Sequence, residues 1–428
     1  MSILRLRIGV LVGVHVLILA HVLYFGSDTI GSVDFQEFFH SFVKHGIVNA
    51  GVIMVLLAFL TTLIFGRFFC GWACHFGAIQ ELSWWILQKL NIRPQTVDSK
   101  LVTILPVIIL LNFYVLPNLF FALDHPWSLN IKLNEPEIWA FLPGWIIGTL
   151  TFVIDGFLIV YFLGRKGFCR FLCPWGAFLK VPNSLAMFKV RKTGNCTECH
   201  ECTTHCPVGI DVSYEINTYQ KVTNTNCTSC LMCTSGCPEN ALSYQFKNPL
   251  NEDVRLSQFI KQKQFLHGHI REFFTSIRTK DLLLLTLTIL AGFAIDGLYG
   301  MGHFMAFGIA IIAGYFIIGE NKYKLLWVKP ILNILIVLLF LWHGTIKFSI
   351  WQGLTQFEAK NYISSISHLE RAILLYPKSI GRFHLLLAEM YFDRGDKISS
   401  LYHVKIAKTI NPNHDGPVEL FKRIDLKQ

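Results

Sequence analysis

The sequence predicts a mainly α-helical, polytopic membrane protein of about seven spans, with a small α+β domain inserted between helices and a helical-hairpin module at its C-terminal end. Three observations predict it. Of 428 residues 53% are apolar and only 15% charged, more apolar surface than a soluble core absorbs. Apolar stretches of spanning length recur along the chain, and one long polar loop between them holds ten of the twelve cysteines.

The spans fall at about 6–25, 49–66, 101–121, 144–163, 282–299, 303–319 and 328–348. Gly297, Gly300 and Gly302 leave only a tight turn between the fifth and sixth. The opening, with Arg5 and Arg7, resembles a signal-peptide start, but the apolar run is long and no small-x-small cleavage site follows, so it reads as an anchor.

Lysine and arginine set the orientation. Arg67, Lys89, Arg93 and Lys100 lie between the second and third spans, and Arg165 and Lys166 open the cysteine-rich loop, whereas 26–48 and 122–143 hold only Lys44 and Lys132. The loop is therefore expected on the cytoplasmic side of a bacterial inner membrane, with the C-terminal module outside. The net charge of +10 gathers beside the inner face and calls for no nucleic acid. All twelve cysteines lie in or beside the inner loops, where disulfides are rare. The domains expected are a four-helix membrane region over 1–185, the inserted domain over 186–247, a basic interfacial linker over 248–280, three further membrane helices over 281–350 and the outer module over 351–428.

In the inserted domain the pattern C-x2-C-x2-C-x3-C-P occurs twice: Cys196, Cys199, Cys202, Cys206, Pro207, then Cys227, Cys230, Cys233, Cys237, Pro238. Zinc sites and disulfide frameworks rarely take this form in tandem; it is the ligand spacing of a ferredoxin with two 4Fe-4S clusters. The fourth cysteine of each run goes to the other cluster. Cys196, Cys199, Cys202 and Cys237 are thus expected to hold one, and Cys227, Cys230, Cys233 and Cys206 the other.

The remaining cysteines form a second repeat. Gly66-Arg67-Phe68-Phe69-Cys70-Gly71-Trp72-Ala73-Cys74-His75-Phe76-Gly77-Ala78 parallels Gly164-Arg165-Lys166-Gly167-Phe168-Cys169-Arg170-Phe171-Leu172-Cys173-Pro174-Trp175-Gly176-Ala177. Each copy closes a helix pair at its inner end, which suggests two parallel halves. Brought together, Cys70, Cys74, Cys169 and Cys173 could make a further metal site or a dithiol relay, against the bland reading of buried inert cysteine.

On the paired C-x3-C motifs and the two-cluster loop, about residues 50–245, the chain resembles the polytopic membrane ferredoxins of the NapH/NosR type, which include the oxidase-assembly proteins of the CcoG/FixG type. The resemblance implies electron transfer between quinol or cytoplasmic donors and outer metalloenzymes, or copper reduction during oxidase assembly. The first motif departs by having His75 where the family has proline. The flavin-bearing outer domain of the regulator branch has no counterpart here.

After Trp351 a tetratricopeptide-like pattern can be laid down twice: Gly353, Ser365, Ala372, Pro377, then Ala388, Ser400, Ala407, Pro412, with a closing helix over 417–427. Such a pair suits docking of an outer protein. Inside the spans His15, His21, Asp155, Asp296 and His343 are costly polar residues. Structural hydrogen bonding is their commoner role, and haem or quinone binding stays open. The stretch 80–90, with Trp84 and Trp85, reads as interfacial. No nucleotide fingerprint or hydrolytic triad is present.

Two functions follow. One is a membrane-bound iron–sulfur electron-transfer protein, a carrier or redox subunit rather than a stand-alone enzyme, working with donor and acceptor proteins or quinol. The other is an assembly or regulatory factor for a respiratory metalloenzyme.

Overall fold

Residues 3–25, 35–92, 94, 99, 101–133, 149–150, 152–247, 278–300, 302–319, 328–376, 380–410 and 416–417 are described in the computed structural model. The chain divides into two compact units, residues 1–286 and 287–428.

In the first unit α1 (Ile3–Phe25) is followed by a π-helical turn at Phe38–Val43, the short strand β1 (Ile47–Val48) and α2 (Ala50–Phe65). Asn49 starts α2: its side-chain oxygen accepts from Val52 N at 3.0 Å, while its amide reaches the Glu37 carboxylate at 2.8 Å. The chain then breaks at Gly66 and turns by 95° before α3 (Phe68–Trp72) and α4 (His75–Lys89). Gly66 permits this because its φ of 63° is in the left-handed region.

α5 (Leu105–Ile109), a π-helical segment and α6 (Leu116–Asp124) form one apolar helix, Leu101–Asp124. β2 (Asn130–Ile131) lies parallel to β1, with Ile47 opposite Asn130 and Val48 opposite Ile131, which ties together the two loops expected on the outer side. A π-helical segment, Phe152–Leu158, leads into α7 (Ile159–Leu163), then the short α8 (Gly167–Phe171), α9 (Pro174–Phe178) and α10 (Lys180–Ser184).

The inserted domain is a two-stranded antiparallel sheet with three short helices. β3 (Phe188–Lys192) pairs with β4 (Leu242–Phe246), Val190 facing Tyr244, and α11 (Glu201–Thr204), α12 (Val212–Tyr219) and α13 (Met232–Ser235) lie between. Val190, Val208, Ile210, Val212, Ile216, Val222 and Leu242 make its core, with Cys202 and Cys233 buried among them.

The second unit runs from the last part of α14 (Thr279–Ile295) through α15 (His303–Ile318) to α16 (Val328–Glu358), α17 (Tyr362–Leu375), α18 (Gly381–Asp393) and α19 (Lys397–Ile410). α16 is one helix of 31 residues that passes through Trp351 without a break. α16 packs on α17, and α18 on α19, at matching points: Ser365 Oγ donates to Gly353 O at 2.7 Å, and Ser400 Oγ to Ala388 O at 2.7 Å. Gly353 is needed where it stands, since a Cβ there would lie 2.7 Å from the Leu369 side chain.

Among the described residues two helices, Leu101–Asp124 and Lys329–Glu358, are long and apolar enough to cross a membrane, and the bent pair α2 to α4 would make a third. The shorter Phe152–Leu163 and His303–Ile318 are also apolar. The first part of the expected fourth span, the linker 248–277, Pro377, Pro412 and the closing helix after 417 lie outside the described residues.

Candidate functional site

Each run of cluster cysteines winds in the same unusual way. Glu198 and His200 in the first run, and Ser229 and Leu231 in the second, have φ of 58°, 59°, 48° and 60°. Alternating left- and right-handed residues turn successive backbone N–H groups inward, a concavity suited to an anionic cluster. The fourth cysteines behave alike: Ile210 N donates to Cys206 Sγ and Ala241 N to Cys237 Sγ, each at 3.4 Å.

Two small cavities result. One is lined by Cys196, Cys199 and Cys202 together with Cys237; the other by Cys227, Cys230 and Cys233 together with Cys206. Each therefore gathers three cysteines of one run and the last of the other. Burial pushes the thiols of Cys206 and Cys227 up to about 11 and about 12, so at neutral pH they keep their protons unless a metal displaces them. The donor sets fit iron–sulfur cubes.

The second cavity sits directly against the first C-x3-C motif. Trp72 Nε1 donates to Ser229 O at 3.0 Å, Arg67 Nη1 to Thr225 O at 3.3 Å, and Asn183 Nδ2 to Thr225 O at 3.0 Å. Only glycine fits at 71: a Cβ there would collide with the Thr228 carbonyl and stand 3.3 Å from the Cys230 Cα. From the second motif, Arg170 lies beside Gly209, three residues after Cys206.

The two motifs bring Cys70, Cys74, Cys169 and Cys173 into electrostatic reach of one another. Cys70 and Cys169 sit in the short helices α3 and α8, while Cys74 and Cys173 take the N-cap positions of α4 and α9 with φ of −68° and −69°. His75 and Pro174 both begin their helices, so histidine adopts here the backbone for which proline is preorganised. Gln80 Nε2 donates to Cys169 Sγ at 3.2 Å, and Gly176 N to Cys173 Sγ at 3.2 Å. All twelve cysteines are unpaired.

Fully buried cations flank these thiols, Arg67 at 2% exposure and Lys166 with its side chain at 1%. Lys166 reaches across to Gly77, its Nζ donating to the Gly77 carbonyl at 2.9 Å. Arg67 reaches across to Gly176, its Nη2 standing 2.9 Å from where a Cβ would be. The Gly-Arg flanks of the sequence align Arg67 with Arg165, but the structure gives Arg67's place to Lys166. The second copy has one extra residue, Arg165, accommodated by the left-handed turn of Lys166 at φ 64° and ψ 25°. Arg165 is freed to meet Glu81 at 2.5 Å, and Glu81 also pairs with Arg7 at 2.8 Å and Lys166 at 3.4 Å. Sequence reasoning missed Gln80 and Glu81. The signal was the spacing of Gln80, Ser83 and Leu87, which is one face of α4 and is wholly buried rather than interfacial.

The polar residues of the spans find local partners. His15 Nδ1 bonds Leu11 O at 2.6 Å, Asp296 bonds His303 at 2.6 Å, and His343 bonds Leu339 O at 2.7 Å and Tyr299 at 2.9 Å. Asp155 is buried with one carboxylate oxygen unpartnered among the described residues. The His21 side chain lies outside the described set.

Fold and site define an iron–sulfur protein of the ferredoxin type that carries two 4Fe-4S clusters. The family models agree: the 4Fe-4S binding domain matches residues 49–93 and 145–193, and the 4Fe-4S dicluster domain matches residues 195–242. The chain is similar to NirI of Paracoccus denitrificans, 35% identical over 171 residues, 37% of this chain and 24% of NirI. It is similar to YccM of Escherichia coli, a protein named for electron transport, with 29% identity over 180 residues, 39% of this chain and 48% of YccM. The methylamine utilization ferredoxin-type protein MauN of Methylorubrum extorquens is 28% identical over 168 residues, 38% of this chain and 55% of MauN. The chain thus spans between about a quarter and about half of these relatives' lengths. No solved structure matches it.

Proposed function

We propose that this protein is a multi-pass membrane carrier that takes single electrons from a cytoplasmic or quinol donor and passes them to an acceptor on the other side. Cys196, Cys199, Cys202 and Cys237 hold the outlying cluster. Cys227, Cys230, Cys233 and Cys206 hold the inner one, and Cys70, Cys74, Cys169 and Cys173 form the next station. The observation that carries this reading is the seating of the Thr228–Cys230 backbone on Gly71 and Trp72, which puts a cluster loop in contact with a border-cysteine loop. A hydrocarbon layer of about 30 Å rules out direct delivery from the clusters, so the border cysteines at the inner ends of the helix pairs hand electrons to a further membrane carrier that completes the crossing.

In this reading the seven apolar segments cross the membrane, the dicluster domain faces the cytoplasm and the C-terminal module stands outside. The recurrence of the Ser365–Gly353 contact as Ser400–Ala388 supports a tetratricopeptide-like module there, fit to hold the acceptor protein.

The test uses proteoliposomes with ferricyanide trapped inside and dithionite outside. Wild-type protein is expected to bleach ferricyanide faster than empty liposomes. Gly71→Val is expected to stop the flux while both 4Fe-4S clusters remain visible by electron paramagnetic resonance. Absence of flux with wild-type protein, or full flux in Gly71→Val, overturns the reading.

A further inference from the structure

We propose that Cys70, Cys74, Cys169 and Cys173 together bind a third iron–sulfur cluster of the 4Fe-4S class, with Arg67 and Lys166 as its counter-charges. It deepens the reading above by naming what the border station is, yet the binding site stands on its own geometry.

The donor count is the first argument. Each segment matched by the 4Fe-4S binding domain, 49–93 and 145–193, contains only two cysteines, so a complete set of four thiolates requires both. The fold brings the two pairs together in matched backbone settings, two in short helices and two at the N-caps of the helices that follow.

Spacing is the second. Zinc–thiolate bonds of about 2.3 Å force tetrahedral sulfurs to within about 4 Å of each other. Among the described residues no three Cys, His, Asp or Glu side chains converge closely enough for a single metal ion. That holds for the two ferredoxin sets as well as for the border set, and a cube with one thiolate on each of its four irons spreads its ligands wider than one ion does.

Charge is the third. The Arg67 guanidinium is buried, has no carboxylate partner among the described residues, and leaves its Nε without a hydrogen-bond acceptor. Its Nη2 lies 3.9 Å from Cys70 Sγ. An uncompensated buried cation is destabilising. Binding a cube would release four thiol protons and leave an anion beside Arg67 and Lys166, which supplies the missing countercharge.

Room is the fourth. A Cβ at Gly77 would stand 3.1 Å from both Cys70 O and Lys166 Nζ and 3.6 Å from Cys74 Cβ; at Gly176 it would stand 3.2 Å from Cys169 O, 2.9 Å from Arg67 Nη2 and 3.6 Å from Cys173 Cβ. The two glycines keep the same space clear in both halves. Sulfur-directed donors, Gln80 Nε2 to Cys169 and Gly176 N to Cys173, complete the setting as backbone donors do for Cys206 and Cys237.

The test is iron and acid-labile sulfide analysis of anaerobically purified protein, with Mössbauer and electron paramagnetic resonance spectra. Wild-type protein is expected to contain about twelve irons per chain, and the double variant Cys70→Ser, Cys169→Ser about eight, with the two ferredoxin signals unchanged as proof of folding. Arg67→Gln is expected to keep the fold and shift the potential of the third centre alone. About eight irons in wild-type protein, an iron content indifferent to the double variant, or about one zinc or copper ion lost with it would overturn the proposal. A variant that loses four irons yet keeps ferricyanide flux upholds the site while removing it from the electron path. Flux lost with no change in iron leaves the path intact as dithiols and overturns the cluster.

Discussion

Trp72 donates its indole N–H to the carbonyl oxygen of Ser229 over 3.0 Å, joining a residue between two border cysteines to one between two cluster cysteines. Sequence separates them by 157 positions. Trp72→Phe removes the donor and strands a buried acceptor, at a cost of about 1–3 kcal/mol. The expected outcome is hydrogen exchange of residues 225–230 at least roughly tenfold faster, with cluster content unchanged.

The crossed ligand sets make a selective prediction. Cys202→Ser should cost the cavity that includes Cys237 its cluster and leave the signal of the cavity that includes Cys206. Electron paramagnetic resonance of the reduced variant is expected to lose the splitting of two interacting centres.

Glu81 pairs with Arg7, Arg165 and Lys166 at once. Glu81→Gln leaves three cations facing one another behind the border cysteines, and about 3 kcal/mol of stability is expected to go. Thermal unfolding of the detergent-solubilised variant should show a lower midpoint, whereas Glu81→Asp should recover part of it.

In the C-terminal module the His384 and His403 rings meet Nδ1 to Nδ1 at 2.8 Å, with Tyr391 stacked on His403, Tyr402 at its edge and Glu370 nearby. Burial first, then His403, lowers His384 to about 4 from the ordinary 6.5. The unfolded chain binds a proton near 6.5 that the folded module refuses, so stability is complete above that value and declines as pH falls toward 4. Limited proteolysis of α18 and α19 is expected to quicken between pH 7 and pH 5, and His384→Asn should flatten the dependence.

Membrane topology is checked by fusion. A reporter joined after Lys247 should behave as cytoplasmic and one after Gln428 as extracytoplasmic. Both on one side would break the seven-span arrangement and take the C-terminal module from its acceptor.

The cluster cavities were legible because the cysteine spacing is local: eleven residues carry four cysteines, three that line one cavity and a fourth that lines the other. The helices were legible from apolar runs, although Gly66 bends one of them by 95° and no hydropathy average contains a bend. What the sequence hid was long-range exchange. Nothing local says that Lys166 rather than Arg165 takes the place of Arg67, because one inserted residue is absorbed by a single backbone rotation. Nor does an amphipathic reading of α4 tell a polar face turned to solvent from one turned to Cys169, since both have the same period.

The extra residue of the second motif marks where the two copies cease to be interchangeable. Cys70-Gly71-Trp72 presents a bare backbone for a cluster loop to rest on, whereas Cys169-Arg170-Phe171 presents side chains at the same positions. The first motif thus receives the Thr228–Cys230 backbone at Gly71, whereas the second meets the loop after Cys206 through the Arg170 side chain. Glycine at 71 and arginine at 170 therefore give the two faces of this paired motif different surfaces for the cluster loops.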